Sequence, residues 1–403
     1  MGRRATASNR LFARALLVAI VVLLVGFAVV RELQQQRPPQ LQRPPQLDGG
    51  QAAIADQQAV KSAEAFLEAY VDEDGRVVRR DQGGDTVSEG QAYAMLIAVA
   101  LEDHDRFDAV WRWTQRKLQR PDGLLSFLWR DGEVADPQPA ADADLDAARA
   151  LLLAASRFEE EAYRHDALRI AGAIAEKETA RSDGRTVLVA GPWALRTDRV
   201  FLNPSYFAPR TFSLLARATG DAVWQDLGIS GRRTVAALTD DGGRLPPDWA
   251  VLRGEMDIEA SAPPSDAQDA PAYGFDAARL PLRYAESCDE RDRKTAAGVW
   301  QVLSQRGIGA LSSRHDLEGD PVAEEVHAVS YVGAAAAAQG AGERDMALAL
   351  LRSAEEHDNR FPTYYGSALL ALGRLMLTTE RLGSCRPVDA TAEGHRGSAG
   401  KTA

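Results

Sequence analysis

From about residue 53 to residue 382 the chain reads as one helix after another. Apolar residues recur at three- and four-residue spacing over 57–72, 88–102, 105–119, 143–157, 160–178, 205–218, 221–239, 271–286, 292–306, 321–339, 343–356 and 363–379. That period predicts twelve helices, each with an apolar face. Ala92, Leu96, Val99 and Ala100 follow it inside a stretch that is otherwise apolar, which predicts a buried helix. Alternating patterns are almost absent, and short β segments are expected only at 76–80 and 186–190.

Twelve helices in succession suggest six helical hairpins. No fixed period or motif supports a tetratricopeptide-type array. Connection lengths alternate instead. Tight turns such as Gly220-Asp and Gly340-Ala-Gly contrast with long connections at 120–142, 177–205 and 239–271. In a closed ring, long loops on alternate connections gather at one end and build a cleft there. These loops carry Trp129, Trp193 and Trp249, aromatic plates of the kind sugars stack on, although ordinary loop packing explains such residues equally well.

Composition changes the picture mainly at the ends. A chain of 403 residues with 45% hydrophobic residues can bury a large core. A net charge of −11 argues against nucleic acid or an anionic membrane surface as the main partner. Arg3, Arg4, Arg10 and Arg14 precede an unbroken apolar run over 15–30 that Leu11, Phe12 and Ala13 extend. Basic residues on the N-terminal side predict a signal-anchor, cytoplasmic at its tip, in a single pass that exports the rest of the chain. A cleaved signal peptide, giving a secreted protein, is the alternative, but the run is not succeeded by a clean Ala-x-Ala site. The expected divisions are an anchor at 1–33, a Gln/Pro-rich spacer at 34–52 with two copies of Arg-Pro-Pro-Gln-Leu, the helical body at 53–382, and a disordered tail at 383–403. Two cysteines, Cys288 and Cys385, are too few for a disulfide framework, and either pairing or free thiols fit the sequence.

Candidate chemistry lies in three acidic stretches. Glu89 opens the buried helix after the turn Asp81-Gln-Gly-Gly-Asp85, and Thr86-x-x-Glu89 fits a capping box. The competing reading is a catalytic acid whose pKa is raised by partial burial. Asp142, Asp144 and Asp146 open another helix, where carboxylates suit the positive dipole end. A calcium loop is excluded, since its sixth and twelfth positions would be Ala147 and Leu153. One of Asp142 and Asp144 is expected to cap while the other points into the cleft. Asp276 and Arg279 are spaced to pair on one helix face. The six His show neither His-Glu-x-x-His nor a close pair, and neither metal nor cofactor is expected.

Ser88-Glu-Gly-Gln91, the run from Asp142 to Asp146, Asn203-Pro-Ser-Tyr-Phe-Ala-Pro209 and Phe275-Asp-Ala-Ala-Arg-Leu-Pro281 resemble, in order, successive motifs of glycoside hydrolase family 8. Pro247-Asp-Trp249 and Tyr364-Tyr-Gly-Ser367 extend the resemblance, which runs from about residue 65 to 381. The resemblance implies an all-α (α/α)6 barrel of six helical hairpins. It implies an inverting, endo-acting enzyme that cleaves internal β-1,4 links of a polysaccharide, with a β-1,4-glucan first and xylan or chitosan as alternatives. Glu89 matches the family's proton donor and Asp276 its general base. Asp142 matches an acid holding the sugar in the central subsite, with Asp144 beside it, and Tyr206 and Arg279 match positions lining that subsite. Trp129 and Trp193 join them as expected substrate contacts. Three positions depart from the pattern: Ala141 replaces a Ser or Thr, Phe127 stands where a cleft Trp is usual, and Phe275 replaces a Tyr.

Inversion needs a protonated acid and an ionised base about 6.5–9.5 Å apart. Glu89 and Asp276 can meet that only by facing each other across the ring, with Glu89 raised by desolvation and Asp276 held low beside Arg279. The expected protein is a monomeric catalytic domain held at the cell membrane and working outside the cytoplasm. Its expected partners are a polysaccharide and a polysaccharide synthase complex. A catalytically weak carbohydrate-binding barrel is the alternative from another class, and a polysaccharide lyase lacks its base constellation here.

Overall fold

Every residue of the helix Ser88–Ala100 is buried except Glu89. A helix apolar on all sides needs neighbours on all sides, and the chain supplies them as two concentric rings. The computed structural model describes residues 49–385 apart from 255, 256 and 267. Among these lie twelve α-helices. The inner ring is α2 (Ser88–Ala100), α4 (Ala141–Arg157), α6 (Pro209–Thr219), α8 (Leu280–Ala285), α10 (Ala328–Gly340) and α12 (Tyr364–Thr378). Neighbours in that order touch, and α12 closes on α2. The outer helices are α1 (Gly49–Tyr70), α3 (His104–Lys117), α5 (Glu161–Lys177), α7 (Val223–Leu238), α9 (Glu290–Arg306) and α11 (Arg344–Arg360). They are amphipathic: α3 buries Phe107, Val110, Trp111 and Trp113 and turns its charges outward. The fold is an (α/α)6 barrel.

Small residues let the rings approach. A Cβ on Gly340 of the inner helix α10 would lie 2.9 Å from the Arg293 carbonyl oxygen of the outer helix α9. Two bidentate ion pairs lock α4 to the segment around α8: Arg283 with Asp146 at 2.6 and 2.5 Å, and Arg149 with Glu286 at 2.7 and 2.8 Å. A disulfide joins Cys288 to Cys385, settling the question the sequence left open.

The connection from each inner helix to its outer partner is short, as at 101–103, 158–160, 220–222, 286–289 and 341–343. The returns are long at 71–87, 118–140, 178–208, 239–279 and 307–327. All six inner helices therefore begin at the end where the long loops collect, and their positive dipole ends face that cleft. The loops hold short antiparallel sheets: β1 (Thr86–Val87) with β2 (Leu128–Arg130) and β3 (Glu133–Asp136), β4 (Thr179–Ser182) with β5 (Arg185–Leu188), and β6 (Val200–Leu202) with β7 (Trp249–Arg253) and β8 (Asp257–Ser261). Their register includes Thr86 opposite Trp129 and Leu202 opposite Ala250.

Four sequence expectations are corrected. The helix expected at 271–286 is α-helical only over α8, because Tyr273 pairs with His315 in a bridge and residues 277–279 form a 3-10 turn. The helix expected at 321–339 begins at Ala328, since Pro321 pairs with His315. Residues 76–80 make only isolated bridges, from Val77 and Arg79, rather than a strand. Helix α1 begins at Gly49, inside the segment read as a spacer. The expected anchor and the rest of that spacer lie outside the described residues, as does the tail beyond residue 385. Among the described residues no helix is long and apolar enough to cross a membrane.

Candidate active site

The first turn of α2 does not form the capping box that Thr86 and Glu89 suggest. The N-cap residue is Val87, in extended geometry, without a side-chain cap. The Thr86 hydroxyl is engaged elsewhere, donating to the Val77 carbonyl at 2.6 Å and accepting from Arg76 Nε at 2.9 Å. Gln91 anchors the same turn, accepting from the Val77 amide at 2.6 Å and donating to Thr114 Oγ1 at 2.9 Å. With its cap partner taken, Glu89 turns into the cleft.

There it meets Arg279, whose buried guanidinium is the hub of the site. Nη1 donates to Glu89 Oε2 at 2.9 Å, to Asp142 Oδ2 at 2.7 Å and to the Tyr93 hydroxyl oxygen at 3.2 Å. Nη2 donates to Asp276 Oδ1 at 2.8 Å. The other oxygen of Asp276 accepts from Asn203 Nδ2 at 3.0 Å. The Tyr206 ring lies 5.3 Å from the guanidinium carbon, a cation–π contact. One guanidinium thus joins the carboxyls of residues 89, 142 and 276. The pairing of Asp276 with Arg279 is as the spacing predicts, but on a 3-10 turn.

Three carboxyls share one cation, so a proton is favoured on one of them. Burial raises Glu89 to about 7, the charges of Asp142 and Asp276 push the same way, and Arg279 opposes them. Burial also raises Asp142, against the pull of Arg279. The Asp276 side chain, 31% exposed against 4% for Asp142, is the more open to water.

Asp144 is not part of this group. It is wholly buried, accepts from the Leu125 amide at 2.9 Å, and hydrogen-bonds with the carboxyl of Glu178. Burial raises both well above the ordinary carboxyl range, helped by the nearby Asp142 and Asp122; the charge of Asp144 raises Glu178 further, while the Leu125 amide and Glu178 pull Asp144 the other way. Asp144 supports the 118–128 loop from beneath instead of facing the cleft.

The tryptophans divide. Trp193 lies 6.2 Å from Trp249, which lies 6.3 Å from Tyr206, so an aromatic row leads away from the guanidinium. Trp129 packs edge-on against Trp113 at 5.8 Å, with Lys117 Nζ 4.9 Å from its ring centre. Phe127 is half-buried against the core, and its carbonyl accepts from the Ser88 amide at 2.9 Å. Tyr93, Asn203 and Asp248 belong to the site and were missed as site residues. Tyr93 follows Glu89 by four residues, which puts both on one helix face and was a usable signal. Asn203 and Asp248 lie in loops and carry no periodicity.

Carboxyls facing one another across a cation, one of them poised near neutrality, beside an aromatic row are the equipment of glycoside hydrolysis by acid and base. The family model for glycosyl hydrolases family 8 matches residues 48–379, and the chain belongs to that family. Over 241 residues it is 33% identical to a probable endoglucanase of Novacetimonas hansenii, covering 58% of this chain and 67% of that one. Over 228 residues it is 32% identical to an endoglucanase of Cellulomonas uda, covering 54% of this chain and 61% of the relative. The structure of an endo-beta-1,4-glucanase from Acetobacter xylinum superposes with a TM-score of 0.66 at 27% identity, over 78% of this chain and 96% of that one.

Proposed function

We propose that this chain is an inverting, endo-acting β-1,4-glucanase with Glu89 as general acid and Asp276 as general base. The observation that carries the reading is the guanidinium of Arg279 joining three carboxyls, one of which, Glu89, is poised near neutrality. A glucan chain lies along the row Tyr206, Trp249 and Trp193, with one sugar over Arg279 and Asp142. Glu89 gives its proton to the departing glycosidic oxygen and becomes a carboxylate, whose new charge the Arg279 guanidinium stabilises. Asp276, steadied by Arg279 and Asn203, draws a proton from a water that attacks the anomeric carbon from the opposite face. The product is the inverted anomer. Relatives named as endoglucanases, matched over about two thirds of their length or less, support glucan as the substrate.

The test is reducing-end release from soluble cellulose, mixed-linkage glucan, xylan and chitosan, with the product anomer read by NMR. Glucan hydrolysis giving the α-anomer is expected. Glu89→Gln and Asp276→Asn are each expected to lower turnover by about 10²–10⁴-fold. Near-wild-type turnover in either would sink its assignment. Silence on all four polymers with tight binding to one would favour a carbohydrate-binding barrel.

The same reading puts the domain outside the cytoplasm, at the membrane and beside a polysaccharide synthase. The basic residues before the 15–30 run and the Cys288–Cys385 disulfide, suited to an oxidising compartment, support it. Protease access to the barrel in intact spheroplasts tests it, and a protected barrel would count against it.

A further inference from the structure

Asp276 stands at the N-cap of the 3-10 turn Ala277–Arg279, yet its side chain makes no cap hydrogen bond. An N-cap aspartate ordinarily turns back onto the amides of its own turn. Here Asp248, from the Pro247-Asp-Trp249 segment, takes that duty. Its Oδ1 accepts from the Ala277 amide at 2.7 Å and from the Gly274 amide at 3.1 Å. These two amides bracket Phe275 and Asp276. The Asp248 amide in turn donates to the Ala272 carbonyl at 2.8 Å, so the two strands of loop hold each other at both ends. Residue 274 is fitted to this arrangement: a Cβ there would lie 2.5 Å from Asp248 Oδ2. Relieved of capping, both oxygens of Asp276 are free, one for Arg279 and one for Asn203.

We propose that Asp248 is the positioning residue of the general base, one carboxylate oxygen gripping the amides on either side of Asp276 and so setting where that residue holds its water. This rests on the reading of Asp276 as base. Among the described residues the Asp248 carboxyl hydrogen-bonds to the amides of Gly274 and Ala277 and neither to Arg279 nor to the aromatic row, so its removal should act on kcat more than on KM. Burial and the charge of Asp276 raise Asp248 to about 7, as expected for a second carboxyl packed behind the first.

The experiment compares Asp248→Ala, Asp248→Asn, Gly274→Ala and Asp276→Ala in the full chain, measuring kcat, KM, thermal stability and rescue by azide. A misplaced reacting group costs about 100-fold in rate, so Asp248→Ala should lose about that factor in kcat while KM stays within about twofold. Asp248→Asn keeps an oxygen acceptor and should lose about tenfold or less. Gly274→Ala leaves both carboxyls in place but drives a methyl onto Asp248, and should lower kcat in the same way. Azide attacks the anomeric carbon as the C–O bond breaks, and the leaving oxygen takes the proton of Glu89. It needs no base, so it should rescue Asp276→Ala as the inverted glycosyl azide. It should not rescue Asp248→Ala, whose base is present but misplaced. Wild-type kcat in Asp248→Ala and Gly274→Ala, with Asp276→Ala inactive, overturns the positioning role alone. An active Asp276→Ala overturns the base assignment itself, and azide rescue confined to Asp248→Ala would give Asp248 the base's place.

Discussion

Asp142 and Asp144 are the same residue type in the same first turn of α4, and both are buried. Their fates differ because Asp142 is ion-paired directly with the guanidinium of Arg279, whereas Asp144 makes no ion pair among the described residues. Asp142 joins Arg279 in a group of three carboxyls around a cation. Asp144 faces Glu178, and two buried carboxyls that hydrogen-bond to each other need a proton between them. The first arrangement keeps a carboxyl poised near pH 7, where it can be lost and regained in a reaction cycle. The second holds its proton well above the ordinary carboxyl range and supports the loop above it. Burial raises both acids; what distinguishes Asp142 is that it shares a cation with two other carboxyls of the cleft.

Removing the cation should break the contrast most severely. Arg279→Met leaves three carboxyls uncompensated, and breaking a buried ion pair costs about 3–5 kcal/mol. Turnover is expected to fall by at least about 10³-fold, with a matching loss in denaturant midpoint. An enzyme unchanged in both would show that the hub is incidental.

The next effect concerns the proton held by Asp144 and Glu178. Both groups are raised in the folded state, so their stabilisation is fully present below the unfolded carboxyl range of about 4 and is lost as pH rises toward the folded values. Stability should fall on the alkaline side with a slope of up to about 1.4 kcal/mol per pH unit for one proton. Glu178→Gln, whose amide donates to Asp144 without a titrating proton, should flatten that slope and leave turnover at pH 7 within about threefold. Melting temperatures between pH 6 and 10 decide it, and a slope identical to that of the parent would mean the pair holds no proton.

The smallest effect is a shift in profile. With Glu89 at about 7, kcat/KM should decline as pH passes through neutrality, since the ionised acid cannot donate. Asp142→Asn removes a negative neighbour that raises Glu89. The alkaline limb of its residual activity should therefore move to lower pH. A limb moving upward would contradict the electrostatics of the cluster.

Much of the fold was legible because an (α/α)6 barrel is built from local pattern. Twelve helices follow from twelve apolar periodicities, and the alternation of loop lengths placed the cleft at one end. Of the small sheets in the long loops only β5 was legible, expected at 186–190 and observed at Arg185–Leu188. Strands of two to five residues are too short to show alternation. The segments at 271–279 and 321–327 read as helix because their composition allows it, while long-range bridges through His315 decided otherwise.

By itself the sequence determined which residues were candidates: Glu89 at a helix start, acids at 142, 144 and 276, and Arg279 three residues after the last. It also held the reason that Asp142 and Asp144 could not both face the cleft, since two residues on a helix point about 200° apart. Which of the two faces inward was decided only by ring closure. Residues 89, 142 and 276 are brought to Arg279, with Asn203 on Asp276 and Asp248 on the amides either side of it, because α2, α4 and α8 all begin at the same end of a closed barrel. The protonation of Glu89 was decided there as well, because a carboxyl's pKa depends on its burial and on charged neighbours distant in sequence.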